Sequence, residues 1–163
     1  MKSIIVYHVP KERAIDFIEG DKNHFIADSS LTNDWSKMLF HIKHNWWESG
    51  LIEQHFINDS IAINEDFFWR DGNFFQFHEK RIVLIDETTR FPDLKDRIEV
   101  DLVIISGNPR LKIKDVVVAF NPEMLVFDSS NKKWRANKWA EECEALSLNY
   151  HNVLTQKAFV FSM

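Results

Sequence analysis

The segment Val100-Asp101-Leu102-Val103-Ile104-Ile105-Ser106-Gly107-Asn108-Pro109 joins an apolar run to a polar turn in the second half of the chain. Its run from Val100 to Ile105 is typical of a strand that is buried on both faces of a sheet. After Pro92 such strands alternate with helix-like segments, which predicts right-handed crossovers and a locally parallel sheet. The elements predicted after the run are a helix over Ile113 to Phe120, a strand over Met124 to Phe127, an amphipathic helix over Trp134 to Leu146 and a strand over Ala158 to Phe161.

The first half of the chain has a different pattern, in which short β-branched and aromatic runs are separated by turn residues. An antiparallel meander of three strands is predicted at Ile4 to His8, Ala14 to Ile18 and His24 to Ala27. A hairpin is predicted where Asp71-Gly72 joins Phe67 to Arg70 with Phe74 to Phe77. Arg81 to Asp86 is the next predicted strand.

A helix is predicted between these two groups of strands. Asp28, Ser29 and Ser30 offer N-terminal caps, apolar residues then recur at three- and four-residue spacings as far as Trp46, and Gly50 ends the pattern.

Together the two halves predict an α/β fold, in the broad α+β sense, with two sheets packed face to face and helices on the outside. A single α+β sheet with helices on one face is the alternative. The chain has 163 residues, 45% of them hydrophobic, which is enough for one core and short for two. We therefore expect one domain over residues 1–163.

Charge and composition exclude several classes of function. The formal net charge of −5 argues against nonspecific nucleic-acid binding by the molecule as a whole, because such binding depends on neutralising phosphates. The single cysteine, Cys143, lies between glutamates that disfavour a reactive thiolate. We expect neither a membrane-spanning segment nor a signal peptide, since the apolar runs are far shorter than the roughly 20 residues that a span needs.

Few residues suggest catalysis. His41 and His44 are three apart on the predicted helix and His55 follows, but no compact metal-binding signature accompanies them. Surface or cap histidines are the simpler interpretation. The sequence also has no Gly-x-Ser-x-Gly elbow and no glycine-rich phosphate loop. No catalytic residue, metal or cofactor is predicted from these patterns.

Charge placement is more informative. Residues 106–114 and residues 128–139 each carry a net charge of +3, and each segment follows a predicted parallel strand. Loops that leave neighbouring parallel strands lie together, so we expect one basic rim, with tryptophans that offer stacking surfaces for single-stranded nucleic acid. The predicted nucleic-acid-binding residues are Arg110, Lys112, Lys114, Lys132, Lys133, Trp134, Arg135 and Lys138. In the alternative interpretation the lysines coat an amphipathic helix while Trp134 and Trp139 both point inward.

Several segments, in their order along the chain, resemble the C-terminal metallo-β-lactamase-like domain of ComEC competence proteins, in the shortened form of Bacteroidetes-type sequences. The resemblance covers nearly the whole chain. The matching segments are Val6 to Lys11, Ala14 to Phe17, Phe25 to Asp28, Lys80 to Asp86, Val100 to Pro109, Pro122 to Ser130 and Lys157 to Val160.

This resemblance implies an αββα sandwich and, in intact members, hydrolysis of DNA by a metal pair. The family's metal ligands are nearly all absent here. Its central His-x-His-x-Asp-His segment has no counterpart, its His-His-Gly-Ser becomes Gly107 to Arg110, and its Asn-x-Tyr-Gly-His-Pro becomes Asn131 to Ala136. Asp86 stands where the family places its bridging aspartate, and one carboxylate cannot hold a metal pair. The residues of the vestigial site are Asp28, Asp86, Gly107 and Asn108.

The expected function is therefore that of a non-catalytic domain of a ComEC-type DNA-uptake protein, with a structural role or a role in guiding single-stranded DNA. Its expected partners are the transmembrane channel part of the same parent protein and single-stranded DNA, with no membrane insertion by the domain itself. The resemblance places it on the outer, periplasmic face of the inner membrane, and a free-standing chain would be cytoplasmic. Two alternatives are a metal-dependent phosphodiesterase or nuclease using Asp28, His41, His44 and Asp86, and a protein–protein interaction domain.

Overall fold

The computed structural model describes residues 1–57, 61–91 and 95–163, so the expected boundary at Pro92 lies outside the described residues. The first of its two sheets is built around the predicted meander. Its strands are β1 (Lys2–Val6), β2 (Ala14–Glu19), β3 (Lys22–Ala27), β4 (Glu53–Phe56) and β12 (Phe159–Ser162). They lie in the order β12-β1-β2-β3-β4, antiparallel except for the parallel pair β3 and β4. The sequence pattern did not predict β4, an exposed edge strand.

The second sheet contains the predicted hairpin and the predicted parallel strands. Its strands are β5 (Ile63–Asn64), β6 (Phe68–Asp71), β7 (Phe74–Phe77), β8 (Lys80–Ile85), β9 (Ile98–Ile105), β10 (Phe120–Phe127) and β11 (Tyr150–Asn152). They lie in the order β11-β10-β9-β8-β7-β6-β5. Strands β8 to β11 are parallel and β5 to β8 antiparallel, so the sheet is mixed. The short strand β11 was not predicted.

Helices cover the outer face of each sheet. Those on the first sheet are α1 (Ser29–Thr32), α2 (Trp35–Met38) and α3 (His44–Glu48), with a π-helical turn over Leu39–Lys43 between the last two. Those in the second half of the chain are α4 (Ile113–Ala119), α5 (Lys133–Ala145) and α6 (Val153–Gln156). Helices α4 and α5 agree closely with the sequence prediction.

Three apolar clusters hold these layers together. The central cluster lies between the sheets and includes Phe17 from β2 and Phe77 from β7, both almost fully buried. A second cluster joins β8, β9 and β10 to α4 and α5 through side chains such as Trp139. A third joins the first sheet to α1, α2 and α3. The result is the αββα sandwich that the sequence predicted, and the single-sheet alternative is wrong.

The predicted helix from Asp28 to Gly50 is interrupted in the structure. Asp34 caps a new helix by accepting a hydrogen bond from the Lys37 backbone N–H at 3.1 Å, which ends α1 and restarts the helix as α2. The wider π turn follows. Buried Met38, Ile42 and Trp46 are spaced strictly by four, so an α-helix would rotate them progressively off the sheet, whereas the wider turn keeps them facing it.

Candidate nucleic-acid interface

The loops after β9 and β10 lie side by side, as the parallel-strand argument predicted. The Gly107 backbone N–H donates to Ser130 Oγ at 2.7 Å, and the Asn108 N–H donates to Asn131 Oδ1 at 2.8 Å. In return, Lys132 N–H donates to Asn108 Oδ1 at 3.1 Å. Gly107 and Asn108 both have positive φ, at 75° and 56°, which turns the first loop toward the second. These bonds fix the start of α5 against the loop after β9.

A groove of about 500 Å³ opens between the loop after β9, α4 and α5. We call it the basic groove. It is lined by six of the eight residues predicted to bind nucleic acid, together with Leu111, Asp115 and Trp139. Those six are Arg110, Lys112, Lys114, Trp134, Arg135 and Lys138. Five cations thus share the groove with one carboxylate, which makes it strongly positive on a molecule of net charge −5. The predicted Lys132 and Lys133 are exposed but do not line it.

The two tryptophans of α5 have different roles. Trp139 is 1% exposed, packs on Phe127 with ring centroids 5.5 Å apart and donates from Nε1 to the Leu111 carbonyl at 3.1 Å. It is a core residue that also anchors the loop under the groove. Trp134 is 59% exposed. The Trp134 ring is therefore available for stacking, as expected. The Trp139 ring points inward, as the alternative interpretation predicted for both tryptophans.

Arg135 is held in place at the edge of the groove. Its Nη1 donates to the Asn108 carbonyl at 2.7 Å, and its guanidinium carbon lies 4.7 Å from the centre of the Trp134 ring. The first contact fixes the cation relative to the loop after β9, and the second orients the exposed ring beside it. A ligand therefore meets a cation and an aromatic surface that are already ordered.

Beside the basic groove, the ends of the strands surround Arg13, a residue that the sequence pattern did not single out. Arg13 Nε donates to Ser106 Oγ at 2.7 Å, and its Nη2 lies 3.6 Å from Asp86 Oδ2. The Arg13 backbone N–H also donates to Asp28 Oδ2 at 2.8 Å. A Cβ atom added at Gly107 would lie 3.4 Å from Arg13 Nη2. We call this group of Arg13, Asp28, Asp86, Ser106 and Asp128 the strand-end cluster.

Asp128 is the fully buried carboxylate of the strand-end cluster. Its Oδ1 accepts hydrogen bonds from the backbone N–H and the hydroxyl of Ser130, whereas its Oδ2 has no hydrogen-bond partner in the described part of the chain. Burial raises the pKa of this carboxyl to about 6, and the hydrogen bonds from Ser106 and Ser130 and the charge of Arg13 oppose the rise. Arg13 is thus the cation that this buried carboxyl faces. In the sequence, the one signal for Asp128 was its position directly after an apolar strand.

A scan against protein-family models matched residues 4–163 to the ComEC C-terminal domain. The chain belongs to this family. The resemblance inferred from its segments is thereby confirmed over almost the whole chain. Searches of curated proteins and of solved structures found no match. Membership in the ComEC C-terminal domain family associates the chain with DNA uptake. No helix in the described ranges is long and apolar enough to cross a membrane.

The strand-end cluster of this ComEC-family domain does not fit a metal pair. Asp86, which the resemblance was expected to match to the family's bridging aspartate, faces the guanidinium of Arg13 rather than another carboxylate. Across residues 1–57, 61–91 and 95–163, no three His, Cys, Asp or Glu side chains lie close enough to share a metal ion. Asp28, His41, His44 and Asp86 therefore do not form the common site that the phosphodiesterase hypothesis requires. The ring of His44 instead packs on Trp47, with centroids 5.4 Å apart.

Cys143 faces the second core cluster from α5. Burial, followed by the charges of Glu142 and Glu144, raises the pKa of its thiol to about 12. The thiol is therefore protonated at neutral pH, which agrees with the sequence-based expectation that it is not a nucleophile.

Proposed function

We propose that this ComEC C-terminal domain binds single-stranded DNA in the basic groove and does not hydrolyse it. The observation that carries the proposal is the groove itself, in which five cations and one exposed tryptophan converge from two separate segments of the chain. Cations spaced along a groove follow a phosphate backbone, and an exposed aromatic ring stacks on an unpaired base. Duplex DNA offers the cations the same phosphates but keeps its bases stacked away from Trp134.

The absence of hydrolysis is part of the proposal and is supported by the strand-end cluster. Hydrolysis of a phosphodiester by a two-metal site needs several carboxylates or histidines directed at the two ions. In this chain Arg13 lies beside Asp86, and a second cation there would be repelled by the guanidinium. DNA held in the basic groove would therefore pass the neighbouring cluster uncut.

The biological setting is part of the proposal and is supported by membership in the family. In a ComEC-type protein the domain would lie beside the transmembrane channel part of the same polypeptide, on the outer side of the inner membrane. There the basic groove would guide the incoming strand. The weak affinity expected when few phosphates are neutralised suits a strand that has to keep moving.

The experiment is a titration of labelled oligothymidine at low ionic strength, followed by its salt dependence. A groove variant carries Lys112→Ser, Lys114→Ser and Lys138→Ser, which removes three exposed cations that line the groove. We expect weaker binding and a salt slope smaller by about 0.7 for each phosphate that the variant no longer neutralises. A matched control with Lys2→Ser, Lys22→Ser and Lys95→Ser removes the same charge from exposed positions that do not line the groove.

Three results would count against the proposal. Wild-type protein that does not bind at low salt, or equal losses of affinity in the groove variant and the control, would leave the basic groove without a role. Cleavage of the oligonucleotide by the purified wild-type domain with Mg²⁺ or Mn²⁺ would refute the non-catalytic part alone.

A further inference from the structure

Three aromatic side chains project into solvent from the helical layer on the first sheet. Trp35 is 63% exposed, Phe40 is 78% exposed and Trp47 is 58% exposed. They lie within 13 consecutive residues, from Trp35 to Trp47, of the segment formed by α2, the π turn and α3. We call these three residues, with Lys43 and His44 between them, the aromatic face. Apolar rings gathered in this way on one element mark a contact surface rather than scattered exposure.

The helix geometry brings these side chains together. The buried residues of this segment are spaced by four, at Met38, Ile42 and Trp46. Residues at the same spacing therefore share one side of the segment, so Trp35, Lys43 and Trp47 lie together on one flank. The observed distances agree with this placement, since Lys43 Nζ lies 3.9 Å from the centre of the Trp35 ring. Phe40 and His44, four apart, lie on the outermost side, and the His44 ring packs on Trp47. The exposed side of this segment therefore carries two contacting pairs, Trp35 with Lys43 and His44 with Trp47, and the Phe40 ring projects from the turn between the two tryptophans.

We propose that the aromatic face docks on the surface of a lipid bilayer. Tryptophan rings prefer the boundary between hydrocarbon and headgroups, and a neighbouring lysine can pair with lipid phosphate while its stem lies along apolar surface. The charges of the segment do not repel lipid phosphate, because its two lysines balance Asp34 and Glu48. Asp34 is used as the cap of α2, Lys37 pairs with Glu12 at 3.1 Å, and Lys43 is presented on the Trp35 ring. Glu48 is the one exposed carboxylate, at the end of α3.

The layered fold gives this docking a consequence for the basic groove. The aromatic face belongs to the helices on the outer side of the first sheet, and the groove belongs to α4 and α5 on the outer side of the second. A bilayer under the aromatic face would therefore leave the groove directed away from the membrane. The docking is interfacial, with rings at headgroup depth, and stands independently of whether the groove binds DNA.

The test is co-sedimentation of the full chain with vesicles of phosphatidylcholine and phosphatidylglycerol. A variant with Trp35→Ser, Phe40→Ser and Trp47→Ser should lose binding, by about tenfold for each ring removed, because each ring contributes apolar area comparable to one partly buried side chain. The matched control is Trp134→Ser, an equally exposed tryptophan on the opposite layer, which should bind vesicles like the wild type. Circular dichroism checks that both variants are folded.

A second measurement does not depend on the triple variant. In the Trp134→Ser background, vesicles with bromine-labelled acyl chains should quench tryptophan fluorescence more than unlabelled vesicles do, and Phe40→Ser should raise the lipid concentration needed for this quenching about tenfold. Failure of the wild type to sediment with vesicles, or an equal loss of binding in the Trp134→Ser control, overturns the proposal. So does a wild-type dimer in lipid-free buffer that the triple variant abolishes, since the face would then be an interface between two copies of the chain.

Discussion

Arg13 connects the two sheets at the residue scale. Its backbone belongs to the loop before β2 in the first sheet, while its guanidinium reaches Ser106 after β9 and Asp86 after β8 in the second. Nothing in the local sequence distinguishes Arg13 from Lys11 or any other exposed turn cation. Its role depends on the packing of one sheet on the other, and for that reason the family resemblance could identify Asp86 but the sequence could not identify its partner.

Replacement of Arg13 by Met should destabilise the fold by about 3 kcal/mol, because removing one partner leaves Asp86 and buried Asp128 without their cation. Urea denaturation measures the change. Arg81→Met, at an exposed position in β8, is the control and should cost much less. The destabilisation should also shrink as the pH falls toward 5, since protonation of Asp128 removes the uncompensated charge. A destabilisation equal to that of the control would contradict this role of Arg13.

Asp16 provides a second test at the residue scale. It is fully buried and accepts hydrogen bonds from Tyr7 Oη at 3.0 Å, Asn23 Nδ2 at 2.8 Å and Trp46 Nε1 at 2.6 Å. Burial outweighs these donors and raises its pKa to about 6. Between the unfolded value of about 3.9 and the folded one, the folded state keeps a proton that the unfolded state has lost.

The contribution of this proton to the free energy of unfolding is therefore largest below pH 4 and declines as the pH rises through about 6. Asp16→Asn has no such titration. We expect the stability of the wild type relative to Asp16→Asn to fall across this window and to remain constant above pH 7. Chemical denaturation at a series of pH values measures the difference. A difference that stays constant from pH 4 to pH 7 would show that the pKa of Asp16 is not raised.

At the scale of elements, periodicity predicted most of what packs on the core. β8 and β9 contain apolar runs, and α4 and α5 carry their buried residues at helical spacing, so each was evident from the sequence. Of β10, only the apolar half from Met124 to Phe127 was predicted, and its first residue, Phe120, was assigned to the preceding helix. The edge strands β4, β5 and β11 were not predicted, because pairing at a sheet edge depends on a neighbour rather than on burial. The break at Asp34 was missed because the apolar spacing continues across it.

Helix α5 gives a matched pair of substitutions at this scale. Trp139→Ala should destabilise the protein by about 3 to 5 kcal/mol, because it opens a cavity under the groove and removes the hydrogen bond to Leu111. Trp134→Ala should leave the thermal midpoint nearly unchanged and weaken single-stranded DNA binding by about 1 to 3 kcal/mol without changing the salt slope. Thermal denaturation and DNA titration separate the two effects. Strong destabilisation by Trp134→Ala would assign that ring to the core.

At the scale of the whole molecule, the sequence predicted the layers but not the positions of side chains across them. The short strands of the first half and the alternation of strands and helices in the second half were enough to predict two packed sheets with helices outside. The parallel pairing of β9 and β10 brings the two basic segments together. The sequence could not predict which cations share the groove. Lys132 and Lys133 precede or begin α5 outside it, whereas Lys138 reaches it one helical turn later.

The net charge of −5 opposes DNA binding at the groove, so the affinity should rise when that charge is reduced without altering the groove. Between pH 7.5 and pH 6, Asp16 and Asp128 begin to lose negative charge, because burial raises the pKa of each carboxyl to about 6. The groove's lysines and arginines stay charged throughout. Oligothymidine should therefore bind more tightly at pH 6 in low salt, and the gain should vanish at about 0.5 M salt, where long-range repulsion is screened. A gain that survives high salt would instead mean that a titrating group touches the DNA directly.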